Sequence, residues 1–210
     1  MTTLPHDAQA VADEHLHRFL KDRYFLRRKV LKLFGGAFHI RDASGDLVLY
    51  SKQKSFRIRE DISLFDNEAM TTQLIRITTQ SVFDIAGTYA VQDMVTGETI
   101  GGLKRHGLSS SFIRDKWEIY DPDGRQIGEI IEDSQVKAIL RRAVDSVAVL
   151  MPQKYHATIG GQTVATYHQN FNPFVYKLEV DFSMDTNNLF DPRLGLAAAV
   201  LLAAIEGKQS

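Results

Sequence analysis

Residues 194–205 read LGLAAAVLLAAI, twelve residues without one polar side chain. Whether this stretch lies in a bilayer or inside the protein decides the fold. Crossing a bilayer takes roughly 20 apolar residues in a helix, whereas a run of about 10–14 is the length of a buried core helix. The borders mark a short, complete helix. Asp191 suits the N-cap, Pro192 the first helical position and Gly207 the position just past the end. Residues 192–206 are therefore predicted to form one helix of ~22 Å at 1.5 Å per residue. A helix apolar on every face has no solvent side and must be surrounded. Burying Leu194, Leu196, Val200, Leu201, Leu202 and Ile205 is worth on the order of 10–15 kcal/mol in total. Gly195 and the alanines between them keep the rod slim. The competing readings are an exposed tail and a helix that dimerises.

Most of the preceding chain reads as strands that can do the surrounding. In FVYKLEVDF, Phe174, Tyr176, Leu178, Val180 and Phe182 share one face, and Lys177, Glu179 and Asp181 share the other. That alternation marks a half-buried strand. Shorter copies pair Phe38 and Ile40 with His39 and Arg41, Phe56 and Ile58 with Arg57 and Arg59, and Ile75 and Ile77 with Arg76 and Thr78. Others pair Trp117 and Ile119 with Lys116 and Glu118, and Tyr155, Ala157 and Ile159 with Lys154, His156 and Thr158. Gly-bearing turns join them: DASGD at Asp42, DMVTGE at Asp93, DPDGR at Asp121 and IGGQ at Ile159. Three repeat the outline strand, Asp, short turn, Gly, strand. About twelve strands are predicted between Tyr24 and Phe182.

Two segments have helical spacing instead. Residues 135–147 place Val136, Ile139, Leu140, Ala143 and Val147 on one face, an amphipathic helix predicted to lie outside the sheet. Residues 7–22 form a weaker amphipathic pattern with Val11, Phe19 and Leu20 apolar. A sheet of about a dozen strands must curl or split. Closing it around the last helix removes its edges and hides the helix in one step. The expected fold is thus mainly β: a closed antiparallel barrel of about twelve strands around a buried hydrophobic C-terminal helix, with an outer amphipathic helix. Residues 1–22 are read as a helical extension and 23–210 as the barrel domain.

Composition limits the function classes. In 210 residues, 44% are hydrophobic and 24% charged, with a net charge of −1. This is the profile of a globular protein, and nothing in the overall balance asks for nucleic acid or a membrane surface. Without cysteine there is no disulfide, no thiol nucleophile and no thiolate metal ligand. The N-terminus lacks the basic start and apolar run of a secretory signal, which suits a cytoplasmic protein without a transmembrane span.

Several stretches carry a family resemblance: KSFRIREDISLFDNEAM, SVFDIAGTYAVQDMVTGETIGGLKR, RDKWEIYDPDGRQIGEIIEDS, QNFNPFVYKLEVDFS and DPRLGLAAAVLLAAIEG. In these the sequence resembles the LURP-one-related proteins, which have the tubby C-terminal-like fold. The resemblance spans about residues 24–207 and implies a twelve-stranded barrel enclosing its last helix. It implies little about activity. Tubby proteins bind phosphoinositides through basic residues on the barrel surface, and no residue-by-residue match to that site is found here. Phospholipid scramblases are similar in layout, with a calcium-binding acidic segment before the last helix. The corresponding DFSMDTNNLFDP keeps Asp181, Asp185 and Asp191 without the spacing of a calcium loop.

The search for chemistry yields no nucleophile elbow, phosphate loop, dinucleotide fingerprint or HExxH, and no cofactor or metal site is assigned. DPDGRQIGEIIE has a Glu at its twelfth position but its Gly at the fourth, so a hairpin turn fits better than a calcium loop. His15 and His17 lie two apart and share no helical face. His39, His156 and His168 alternate with apolar neighbours and are expected to point outward. Asp61, Asp66 and Glu68 in EDISLFDNE read as a solvated, capping loop. Asn170 and Asn172 around Phe171, with Pro173 next, read as structural. Basic residues gather at Arg27, Arg28, Lys29 and Lys32, at Lys52, Lys54, Arg57 and Arg59, and around Lys104, Arg105, Arg114 and Lys116. Arg57 and Arg59 would share one outer strand face, where two guanidinium forks can meet an anionic headgroup. The candidate anion-binding set is therefore Lys52, Lys54, Arg57 and Arg59.

The sequence reading favours a non-enzymatic binding module of the LURP-one-related type that engages an anionic lipid, a small ligand or a protein partner. Its alternatives are a scramblase-like membrane-associated protein and an enzyme with a pocket at the barrel rim. One outcome follows from the helix alone. Leu201→Glu places a charge where no water can solvate it, so the variant is expected to be insoluble or unfolded. A soluble variant with the melting temperature of the wild type would contradict the assignment.

Overall fold

The computed structural model describes residues 14–29, 36–53, 61–79, 87–106, 116–133, 153–170, 172 and 175–205. Twelve strands form one closed antiparallel barrel in simple meander order. They are β1 (Arg23–Lys29), β2 (Gly36–Asp42), β3 (Leu47–Gln53), β4 (Ile62–Phe65), β5 (Gln73–Thr78) and β6 (Thr88–Asp93), then β7 (Thr99–Arg105), β8 (Lys116–Tyr120), β9 (Gln126–Glu132), β10 (Lys154–Ile159), β11 (Gln162–Asn170) and β12 (Val175–Asp181). The last strand closes on the first over seven register pairs, from Arg23 opposite Asp181 to Lys29 opposite Val175. The Phe182 N–H donating to Asp22 O at 2.7 Å extends that seam.

Alternation along the strands turns every other side chain inward. Leu26, Ile40, Ile75, Ile77, Leu103, Ile119, Ile130, Ala157, Tyr167, Leu178 and Val180 are all essentially inaccessible to solvent. The C-terminal helix, Pro192–Ile205, runs through the space they enclose, and every residue from Leu194 to Ala204 is buried. At 14 residues it is ~21 Å long. Its start is as the sequence indicates: Asp191 Oδ1 accepts from the Arg193 N–H at 2.9 Å, and Asp191 O accepts from the Gly195 N–H at 3.0 Å.

The three Asp–Gly turns share one construction. Each Asp turns Oδ1 back onto two backbone N–H groups: Asp42 onto Ser44 and Asp46, Asp93 onto Val95 and Thr96, Asp121 onto Asp123 and Arg125. Gly45, Gly97 and Gly124 follow with φ of 91°, 78° and 80°, the left-handed region that side chains disfavour. The hairpin reading of DPDGR is thereby confirmed.

Part of EDISLFDNE departs from the sequence reading. Residues 62–65 are strand β4, paired with β5, rather than loop. Its burial alternates over only four residues, too short a run for periodicity to stand out. The capping role is present nearby, where Asp66 Oδ1 accepts from the Thr72 N–H at 3.0 Å. Asn172 Oδ1 accepts from the Val175 N–H at 3.0 Å, a backbone-satisfying role for that asparagine. In the N-terminal pattern, residues 14–17 are helical, and Phe19 belongs to the buried core. The outer helix at 135–147, the strand pattern around Phe56 and Ile58, and Gly207 lie outside the described residues.

Where the helix enters the barrel it sits against aromatic rings. A Cβ added at Gly195 would lie 2.5 Å from the Phe182 ring, itself edge-on to Tyr24 and Phe190. Gly195→Ala gains about 1 kcal/mol of helix propensity but overpacks this cluster at a cost of roughly 1–3 kcal/mol. Urea denaturation is expected to show the variant less stable than wild type; a gain in stability would refute so close a fit.

Candidate functional site

Strand direction sorts the chain into two barrel ends. At the end where the helix begins lie segments 14–23, 42–46, 66–72, 93–98, 121–125 and 181–193, with thirteen Asp and Glu against five Lys and Arg. At the other end, residues 27–29, 51–53, 61–62, 104–106, 116–118, 131–133, 153–155 and 175–177 carry nine Lys and Arg against four Asp and Glu. The polarity matches the helix macrodipole, which is positive at the N-terminus and negative at the C-terminus. The helix has no acidic residue in its first turn and no basic one in its last, so the wall supplies the complement.

At the N-terminal end the complement is Asp93. Of the three repeated turn aspartates it alone is 0% exposed. With Oδ1 held by the turn, Oδ2 faces the helix and accepts from Arg193 Nη1 at 2.6 Å and from His15 Nε2 at 2.7 Å. Arg193 also grips Asp191 through Nη2 at 2.7 Å. One carboxylate thus ties a hairpin, the helix start and the N-terminal segment together. Burial alone would raise the Asp93 pKa, but bonds from His15, Thr96, Arg193 and Val95 outweigh it and hold the carboxyl well below the usual range. Burial likewise opposes the Arg193 charge, and Asp191 and Asp93 together more than restore it.

At the C-terminal end Arg28 of β1 reaches in and donates from Nη1 to Ala203 O at 2.6 Å, with its guanidinium 5.7 Å from the Phe38 ring centroid. Register places Tyr176 beside it on the same face. Buried Glu132, Tyr155 and Trp117 turn inward on neighbouring strands, so the lumen becomes polar and aromatic past the helix.

The sequence-derived anion set is only partly in view. Lys52 is exposed on β3 at this basic end, opposite Ala37. Lys54, Arg57 and Arg59 lie outside the described residues. Of the histidines expected to point outward, His39 is partly exposed and bonds Glu68 at 3.2 Å. His156 and His168 are partly exposed as well.

A further cluster lies on β8. Glu118 takes His106 Nε2 on one oxygen and the Tyr120 hydroxyl on the other, both at 2.6 Å. Burial raises the Glu118 pKa, and those two donors with the Lys104 charge lower it further than burial raises it. Burial and Glu118 push the Tyr120 phenol up to about 12. Both carboxylate oxygens are occupied, so the cluster serves as a brace. Among the described residues no group of three His, Asp or Glu could hold a metal ion.

Sequence reasoning placed Asp93 in its turn but missed its partners. A usable signal existed. Arg193 sits in the first turn of the helix, where the dipole disfavours a cation, and so calls for a carboxylate.

The Asp93 arrangement gives a pH signature. Its folded-state pKa is depressed, so its stabilisation is complete above the unfolded value of about 3.9 and is lost as pH falls from there toward the folded value. Asp93→Asn is expected to cost about 3–5 kcal/mol at pH 7, because His15 and the Arg193 Nη1 lose the buried carboxylate oxygen they share, although Arg193 keeps Asp191. The gap to wild type should narrow as pH drops from 5 toward 2. Denaturant unfolding across that range checks this; a gap independent of pH would refute it.

Three comparisons relate the chain to known proteins. An X-ray structure of an Arabidopsis thaliana protein aligns over 91% of this chain and 95% of its own, at 12% identity and a TM-score of 0.46. No curated protein gives a significant match. A family model described as LURP-one-related matches residues 47–203, from β3 to the end of the central helix. The chain belongs to the LURP-one-related family.

Proposed function

We propose that this barrel is a non-enzymatic binding module whose basic end engages an anionic group, with a lipid headgroup as the favoured ligand. The observation that carries the reading is the segregation of charge along the barrel axis. In a protein of net charge −1, the described residues of one rim hold nine Lys and Arg against four Asp and Glu. Arg27, Lys52 and Lys154 are exposed there; the proposal counts Lys54, Arg57 and Arg59, which follow β3 in the sequence, in the same set. Such an array attracts an anionic surface with about 1 kcal/mol per basic residue near it, screened by salt over roughly 8 Å at physiological ionic strength.

The scramblase-like alternative draws no support from the central helix. Among the described residues no helix is long and apolar enough to cross a membrane. The apolar helix is occupied inside the barrel, and exposing it would forfeit the core. The braced Glu118 cluster likewise offers no free base to an enzyme reading.

Flotation with phosphatidylcholine vesicles, with and without phosphatidylserine, tests the proposal. Wild type is expected to float with the anionic vesicles only and to be released by high salt. Lys52→Glu combined with Lys54→Glu should reduce recovery severalfold while leaving the melting temperature unchanged. Equal recovery on neutral and anionic vesicles would overturn the reading.

A further inference from the structure

The acidic end carries a second feature that the anion-binding proposal does not use. Among the described residues, the exposed large hydrophobics are Leu16, Leu20, Phe25, Met70, Met94, Met184 and Leu189. All except Phe25 lie at the end where the helix begins, on turns or on the segment before β1. A groove of about 460 Å³ opens beside two of them, Leu16 and Leu20. Leu16, Phe19 and Leu20 form one wall, and Asp191, Pro192 and Arg193 form the other. Leu20 is 70% exposed, more than any other large apolar side chain described. Scattered apolar residues on a surface are ordinary, but a one-sided collection around a groove marks an interaction site.

Charge says what the groove would take. The barrel end on which the groove opens holds thirteen carboxylates against five Lys and Arg, with Arg18 and Lys21 on the groove's own wall segment. Of those five, Arg193 is bound by Asp93 and Asp191, Arg23 by Asp181, and Arg125 by Asp123. Glu14, Asp22, Asp46, Glu68 and Glu98 stand exposed. Three methionines, Met70, Met94 and Met184, add adaptable apolar surface on the turns of the same barrel end.

We propose that this groove docks a basic amphipathic helix of a protein partner, its apolar face against Leu16, Leu20 and Pro192 and its Lys and Arg side chains toward the carboxylate rim. A helix laid in a groove presents apolar anchors at i, i+3, i+4 and i+7 with cations flanking them. The Asp93–His15–Arg193 junction makes the site rigid, because it fixes both walls to the same hairpin. The proposal goes beyond the anion-binding reading and stands at the opposite end of the barrel.

Fluorescence anisotropy with the full chain tests it. The probes are a labelled Leu/Lys peptide with that helical spacing, the same peptide with every Leu replaced by Ser, and a Leu/Glu counterpart. The Leu/Lys peptide should bind the wild type, and the other two should bind roughly tenfold more weakly or worse. Leu20→Asp should weaken Leu/Lys binding by roughly tenfold. This variant adds negative charge, so simple electrostatic attraction would instead strengthen it. Leu20 is exposed enough that the substitution should leave the melting temperature unchanged. Leu/Lys and Ser/Lys peptides binding alike, or Leu20→Asp binding as wild type does, would overturn the proposal. So would concentration-dependent self-association abolished by Leu20→Asp, which would assign the groove to a second copy of the chain. Flotation on anionic vesicles should be unaffected by Leu20→Asp, so failure of the basic-end reading and failure of this one are distinguishable.

Discussion

A helix with no polar face is stable in water only when something covers it on every side, and the rest of this molecule follows from that requirement. One sheet face or one neighbouring helix would leave half of the surface of residues 194–204 wet. A closed meander of twelve strands covers all of it. Closure also satisfies the strands, since a barrel has no open edge to pair elsewhere. Core and sheet are therefore interdependent: the barrel without its helix would enclose a void, and the helix without its barrel would aggregate. Because β1 pairs with β12 and the helix follows β12, neither β1 nor the helix can be dispensed with.

Burial creates a second demand at the helix ends, where backbone groups lack intrahelical partners. At the start Asp191 caps the Arg193 N–H, and at the finish Arg28 of the wall donates to Ala203 O; Asp93 holds the first turn through the Arg193 side chain. The same logic organises the surface, where acidic turns surround the N-terminal end of the helix and basic strand ends surround the C-terminal end. Two chemically opposite faces on one rigid cylinder suit a module that joins unlike partners, with an anionic surface at one end and a cationic segment at the other.

Much of this architecture was legible because it is local. The helix boundaries come from Asp191, Pro192 and an unbroken apolar run. The strands come from alternation, as at Tyr176, Leu178 and Val180, and the hairpins from an Asp followed three or four residues later by Gly. The junctions were not legible, because they are not local. His15 and Asp93 are 78 residues apart, Arg193 and Asp93 are 100, and Arg28 and Ala203 are 175. The DMVTGE turn has one more residue between Asp and Gly than DASGD or DPDGR, but that length does not say that its Asp alone meets the helix start once the barrel closes. β4 escaped for a different reason: four residues between acidic neighbours carry too few alternations to outweigh the look of a loop. Of the basic residues singled out, Lys52 shows how a surface site resists reading, since sequence marks a charge without saying which end of the barrel receives it.

The most direct test of the central claim is amide hydrogen exchange across residues 194–204 in the intact protein. A helix enclosed by a closed barrel can exchange only when the barrel opens, so these amides should be the slowest in the chain. Their opening free energy should equal the global unfolding free energy from denaturant titration. Exchange there as fast as in the exposed turns, or faster than in the strands, would show that the helix does not occupy the barrel interior and would contradict the account.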